Sequence, residues 1–111
     1  MSTCFTTLPD RAEWSPAKAA KVDLFAGGQL FVGLNCFEPG QSQPVHSHAD
    51  ADKFYFLVSG KARMTVGGET REAAAGDLVW APRTVPHGVV EVLTRTVMLV
   101  AIAPPPPARS G

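Results

Sequence analysis

Cysteine is scarce in this chain of 111 residues: only Cys4 and Cys36 occur, too few and too far apart for the dense disulfide framework that holds small secreted domains together. Both read as free thiols. Charge of one sign is missing too. Ten Lys plus Arg balance ten Asp plus Glu for a formal net charge of zero, which removes the broad positive field that nucleic-acid or anionic-membrane binding needs. Neither a nucleic acid nor a membrane is expected as a partner. No apolar run is long enough to span a bilayer, and the segment from Met1 to Trp14 has no basic run followed by an apolar stretch. A soluble, cytoplasmic protein is the expectation. Also absent are a glycine-rich phosphate loop, a Ser-His-Asp set in a known context and any long stretch with a helical period.

A chain of this length holds one domain with a modest core. Residues 1–21 read as an N-terminal arm, 22–103 as the domain, and 104–111 as a tail. In the tail, Pro104 to Pro107 supply no backbone donors, so it is expected to be extended and disordered. The one local helix signal is Pro16–Lys21, with Ser15 as its cap. Between Val22 and Ala103, short runs rich in Val, Leu and Phe alternate with breaks bearing Gly or Pro, as in an antiparallel barrel or sandwich. Strands are expected at Val22–Phe25, Leu30–Phe37, Val45–His48, Lys53–Val58, Ala62–Val66, Thr70–Ala73, Leu78–Ala81, His87–Leu93 and Thr96–Ala103. Gly67-Gly68 predicts a hairpin over Thr65–Arg71, and Gly27-Gly28 and Gly60 predict turns. Breaks this short force antiparallel pairing. The fold class expected is all-β. The run from Val97 to Ala103 is apolar on both faces, which calls for cover on both sides, and a second subunit is the expected cover: a homodimer. Phe31, Phe37, Phe54, Phe56, Trp80, Met64 and Met98 read as core or subunit interface, while Tyr55 and Trp80 are candidates to line a ligand pocket.

The chain's three histidines, His46, His48 and His87, all fall in two segments punctuated by Gly and Pro. The spacing of His46 and His48 places both rings on one face of a strand, close enough to share an ion. A strand starting after Pro82 and Pro86 can present His87 from the opposite side. Three neutral imidazoles leave coordination positions open on a divalent transition metal such as Fe, Mn, Ni, Cu or Zn.

The segments themselves, Gly40–Gly60 and Gly76–Glu91, resemble the paired motifs of the cupin superfamily. In the first, five residues separate Gly40 from His46 and six separate Lys53 from Gly60. In the second, five separate Gly76 from Pro82. Thr84 stands where a glycine is usual, and Glu91 where an asparagine is usual. The resemblance implies a jelly-roll β-barrel with a metal held inside by His46, His48, position 53 and His87. It calls for a glutamate at position 53, where this chain has Lys53. An ammonium and a divalent cation repel each other in a low-dielectric pocket, which leaves three readings. Lys53 swings to the rim and pairs with Asp50 or Asp52, leaving a three-histidine site of the kind some cupin dioxygenases use. Or it stays inside with a lowered pKa as base, proton donor or carbonyl-capturing amine. Or no metal binds, and Lys53 and the histidines cradle an anion. A long amine usually reaches water, which favours the rim. Asp52 is a further candidate for the missing carboxylate, although strand alternation points it away, and Glu91 shares the parity of His87.

Function follows in two versions. One is metal-assisted chemistry on a small polar molecule by a dioxygenase, isomerase or lyase, with Lys53 or Tyr55 supplying the proton. The other is a non-catalytic module that binds or senses a carboxylate or sugar. Fold alone does not decide between them.

Overall fold

The computed structural model describes residues 3–107. A single helical turn, α1 (Leu8–Arg11), leads into seven strands: β1 (Ala20–Ala26), β2 (Phe31–Phe37), β3 (Gln43–His46), β4 (Asp52–Val66), β5 (Glu69–Ala74), β6 (Leu78–Ala81) and β7 (His87–Ala103). Every pairing is antiparallel, in the order β1-β2-β7-β4-β5, with β3 on β7 and β6 on β4. The path ends at β1 and β5 without closing, so the sheet folds onto itself as a sandwich. The all-β, antiparallel, jelly-roll expectation holds, in its sandwich form.

Two expected breaks are bends inside long strands. Lys53–Val58 and Ala62–Val66 are both part of β4, while His87–Leu93 and Thr96–Ala103 are both part of β7. Gly60 bends β4 at φ 90°, and a Cβ there would collide with Thr96 Oγ1 and the Arg95 carbonyl. The Thr96 hydroxyl accepts the Lys61 N–H at 3.0 Å and donates to the Thr94 carbonyl at 2.7 Å, closing the irregular pairing on both strands. Each long strand thereby serves both layers of the sandwich.

Alternation sets what faces inward. On β4, Lys53, Tyr55 and Leu57 are buried while Phe54, Phe56 and Val58 are only partly so. With Phe37, Met64, Met98, Val100 and Ile102 they belong to the main core and its wall. A second cluster lies behind it, where Val22, Leu34, Cys36 and Val97 are covered by Leu8, Ala12 and Trp14. The N-terminal segment therefore supplies the outer cover of β7 that a second subunit was expected to give. The Thr65–Arg71 hairpin is present, with Thr65 opposite Thr70 and positive φ at Gly67 and Gly68.

Two local expectations are corrected. Residues 16–18 bend and β1 begins at Ala20, because Ala20 and Lys21 pair with Cys36 and Asn35, so sheet pairing overrides local propensity. Ser15 does accept an N–H, from Ala17 at 3.3 Å, but in a turn. The helical turn is Leu8–Arg11, with Pro9 at its start. The strand expected at Val45–His48 is Gln43–His46, which leaves His48 just beyond its end. Pro105, Pro106 and Pro107 line a cavity described below, and residues 108–111 of the tail lie outside the described residues.

Candidate metal centre

Register brings the three histidines together. His46, the last residue of β3, pairs directly with His87, the first of β7, and His48 follows two residues on. Gly88 permits the close approach: a Cβ there would come within 2.9 Å of the Gln43 carbonyl. The ring centroids of His46 and His87 are 4.4 Å apart, those of His46 and His48 5.1 Å, and those of His48 and His87 5.4 Å. One nitrogen from each ring lies within 4.8 Å of the others.

Hydrogen bonding shows which nitrogens face inward. His46 Nδ1 lies 2.9 Å from the Pro44 carbonyl, and His87 Nδ1 lies 3.0 Å from that of Val85. A carbonyl only accepts, so each Nδ1 is the donor, and in the neutral ring that leaves the Nε2 lone pair free. His48 Nε2 and His87 Nε2 are buried without a hydrogen-bond partner. Burial is also the main cause holding the pKa values of His48 and His87 below the ordinary imidazole value, with the Lys53 charge adding to it. Buried lone pairs on neutral rings are the donor set a divalent transition metal takes, so the residues present fit one.

These rings open on a cavity of about 680 Å³, which His46 and His48 line together with Lys21, Asp23, Asn35, Gln43, Lys53 and the apolar side chains of Phe31, Val100 and Ile102. Pro105, Pro106 and Pro107 form part of its wall. Lys53 is inside, with 5% of its surface exposed, which corrects the rim placement. Its ammonium lies 4.6 Å from the Tyr55 ring centroid. Burial, reinforced by Lys21, pushes its pKa down to about 8. Asp52 points away as alternation requires, and its Oδ1 accepts the Arg83 N–H at 2.9 Å. Glu91 is on the outside, paired with Arg63. Neither joins the histidines.

Tyr55 is buried with its ring 6.1 Å from that of His87. Its hydroxyl donates to Gln43 Oε1 at 2.9 Å, and burial raises its pKa further, so it acts as a fixed donor that orients Gln43. Trp80 lies elsewhere, on an outer groove beside Leu78. Sequence reasoning missed Lys21, Asn35 and Gln43 as cavity residues. Asn35 carried a signal, being a polar side chain in the middle of the apolar strand Phe31–Phe37.

The cupin-domain family model matches residues 33–103, most of the chain and all three histidines. The chain belongs to the cupin family. Within it, an uncharacterized protein of Streptomyces coelicolor is 33% identical over 85% of this chain and 89% of its own length. Among solved structures, TT1209 of Thermus thermophilus is 35% identical, with a TM-score of 0.87 over 92% of this cupin and 98% of that chain. KdgF of a Halomonas species, 19% identical, superposes with a TM-score of 0.83 over 96% and 97% of the two chains, a likeness of fold alone. No helix among the described residues of this cupin is long and apolar enough to cross a membrane.

Proposed function

We propose that this cupin holds one divalent transition metal on His46, His48 and His87 and uses it on a small polar molecule admitted by the adjoining cavity, as a dioxygenase, isomerase or lyase. The observation that carries this reading is the pair of buried, unpartnered Nε2 atoms of His48 and His87, which belong to the same cluster as His46. A bound metal would supply Lewis-acid polarisation of a carbonyl or activation of water or oxygen at its open positions. The chain's own residues supply the rest. Lys53, with a pKa of about 8, exchanges a proton close to neutrality, as a general acid or base must. Tyr55 holds the Gln43 amide in place, and Phe31, Val100 and Ile102 keep one wall apolar. Lys53 also supports the rival reading, a non-catalytic module for a carboxylate or sugar, because it stands where the family resemblance calls for a ligand.

Elemental analysis of protein made without a histidine tag tests the metal. One divalent metal per chain is expected, falling to background in the His46→Ala/His48→Ala double variant. Wild-type protein that takes up no Fe, Mn, Ni, Cu or Zn when these are added overturns the assignment.

Two further readings complete the proposal. Cys4 and Cys36 as free thiols suit a reducing, cytoplasmic setting. Leu78 and Trp80, 64% and 54% exposed on the outer face of β6, mark where a second copy would dock in a homodimer.

A further inference from the structure

We propose that Lys53, backed by Lys21, forms an anion-recognising end of the cavity, so that the ligand this site takes is a small molecule bearing a carboxylate. This rests on reading the cavity as the ligand site beside the three histidines. The first support is burial. The Lys53 side chain is almost wholly enclosed, and among the described residues no carboxylate comes within 4.0 Å of its ammonium, whereas the cations Lys61, Arg63, Arg71 and Arg95, all far more exposed, do have one. An enclosed, unpaired charge is costly, and such a residue in a cleft is the mark of a site where a ligand brings the counter-charge.

The surroundings agree in sign. The Tyr55 ring supports the ammonium from one side. Lys21 on β1 lines the same cavity and is close enough for its charge to act on Lys53. Asp23 is the single carboxylate among the described residues of the lining, against two amines. The neutral polar groups also offer donors. Gln43 turns its carbonyl oxygen to the Tyr55 hydroxyl, which leaves its amide NH₂ to donate, and Asn35 lines the wall nearby. A wall of this kind, with two amines and an oriented amide, complements an acceptor-only anion. A neutral sugar, which brings no charge, would leave Lys53 uncompensated.

Calorimetric titration with acetate, succinate and glutarate, each against its neutral amide, tests this on protein as purified and after metal removal. At least one carboxylate should bind tenfold or more tightly than its amide. Lys53→Met should abolish that preference, Lys53→Arg should keep most of it, and Lys21→Gln should weaken carboxylate binding about threefold, more at low salt. No preference for any carboxylate, or an undiminished preference in folded Lys53→Met protein, overturns the inference. If Lys53→Met does not fold, unchanged carboxylate affinity in Lys21→Gln overturns it. A preference that depends on Lys53 and survives removal of the metal supports the subsite even where the metal assignment has failed. One that disappears with the metal and ignores Lys53 overturns the subsite and leaves the metal assignment standing.

Discussion

Lys53 makes the folded state sensitive to alkaline pH in a direction that can be worked out. Below about pH 8 the amine is protonated folded or unfolded, and folding carries the whole cost of enclosing the charge. Between about 8 and the ordinary 10.5 the unfolded chain binds a proton that the folded one does not, so stability rises with pH. Above 10.5 both states are neutral and the cost is gone. The gap between those two values corresponds to roughly 3 kcal/mol. Metal-free Lys53→Met should therefore be more stable than wild type at pH 7 by up to about 3 kcal/mol, with the difference shrinking by at least half at pH 9.5. Urea unfolding at both pH values measures it, and a difference that ignores pH would sink the argument. That Lys53 shares a face with Tyr55 and Leu57 was legible by counting back from Gly60 and alternating along the strand. That it stays inside was not. The reach of a long amine depends on the Tyr55 ring and on Lys21 of β1, and the placement of β1 is a tertiary fact.

At the scale of elements, Gly60 shows how a punctuation residue is misread. Glycine breaks the pattern of a strand whether the chain turns or merely bends, and only the partner strand decides which. Here Thr96 of β7 sits against Gly60 and bonds the next N–H, so β4 continues through the bend and carries Lys53 and Tyr55 at one end and the β5 hairpin at the other. Gly60→Ala forces a Cβ into Thr96 and the Arg95 carbonyl at a positive φ. It should cost about 3 kcal/mol or more of stability in chemical unfolding, whereas Gly68→Ala, with open space around it, should cost no more than about half as much. Equal losses would refute the role of Thr96. The strand cores, the Gly67-Gly68 hairpin and the inward face of β4 were legible because period-two burial is local. The arm was not. Leu8–Arg11 gains its place from the apolar cluster of Val22, Leu34 and Val97 that it covers, and Pro16–Lys21 gives up its helical tendency to the β1–β2 pairing. Pro105–Pro107 likewise reach the cavity wall because β7 ends beside it; no local pattern encodes that position.

For the whole molecule, the arm changes where a partner subunit could dock. The doubly apolar run of β7 suggested a second copy on its outer face, yet Leu8, Ala12 and Trp14 lie there, and Trp14 is held by the Arg95 guanidinium 3.8 Å from its ring centroid. Arg95 is fixed in turn by Glu38 through two hydrogen bonds of 3.0 and 3.1 Å. An apolar surface with an aromatic anchor and a groove beside it is on β6, where Trp80 and Leu78 border a groove formed with Met64, Val66 and Val79. Aromatic anchors dominate interface energies, and a stable interface needs roughly 800 Å² per partner, more than a four-residue strand offers. A dimer contact at this face would therefore have to extend across the β5–β6 groove, which contains Glu69 and Arg71, paired charges suited to a rim. Sedimentation at micromolar concentration should find wild-type dimers, and Trp80→Glu should shift them to monomers without changing the metal content of the histidine centre. A monomeric wild type, or a Trp80→Glu variant that stays dimeric, would rule out this face.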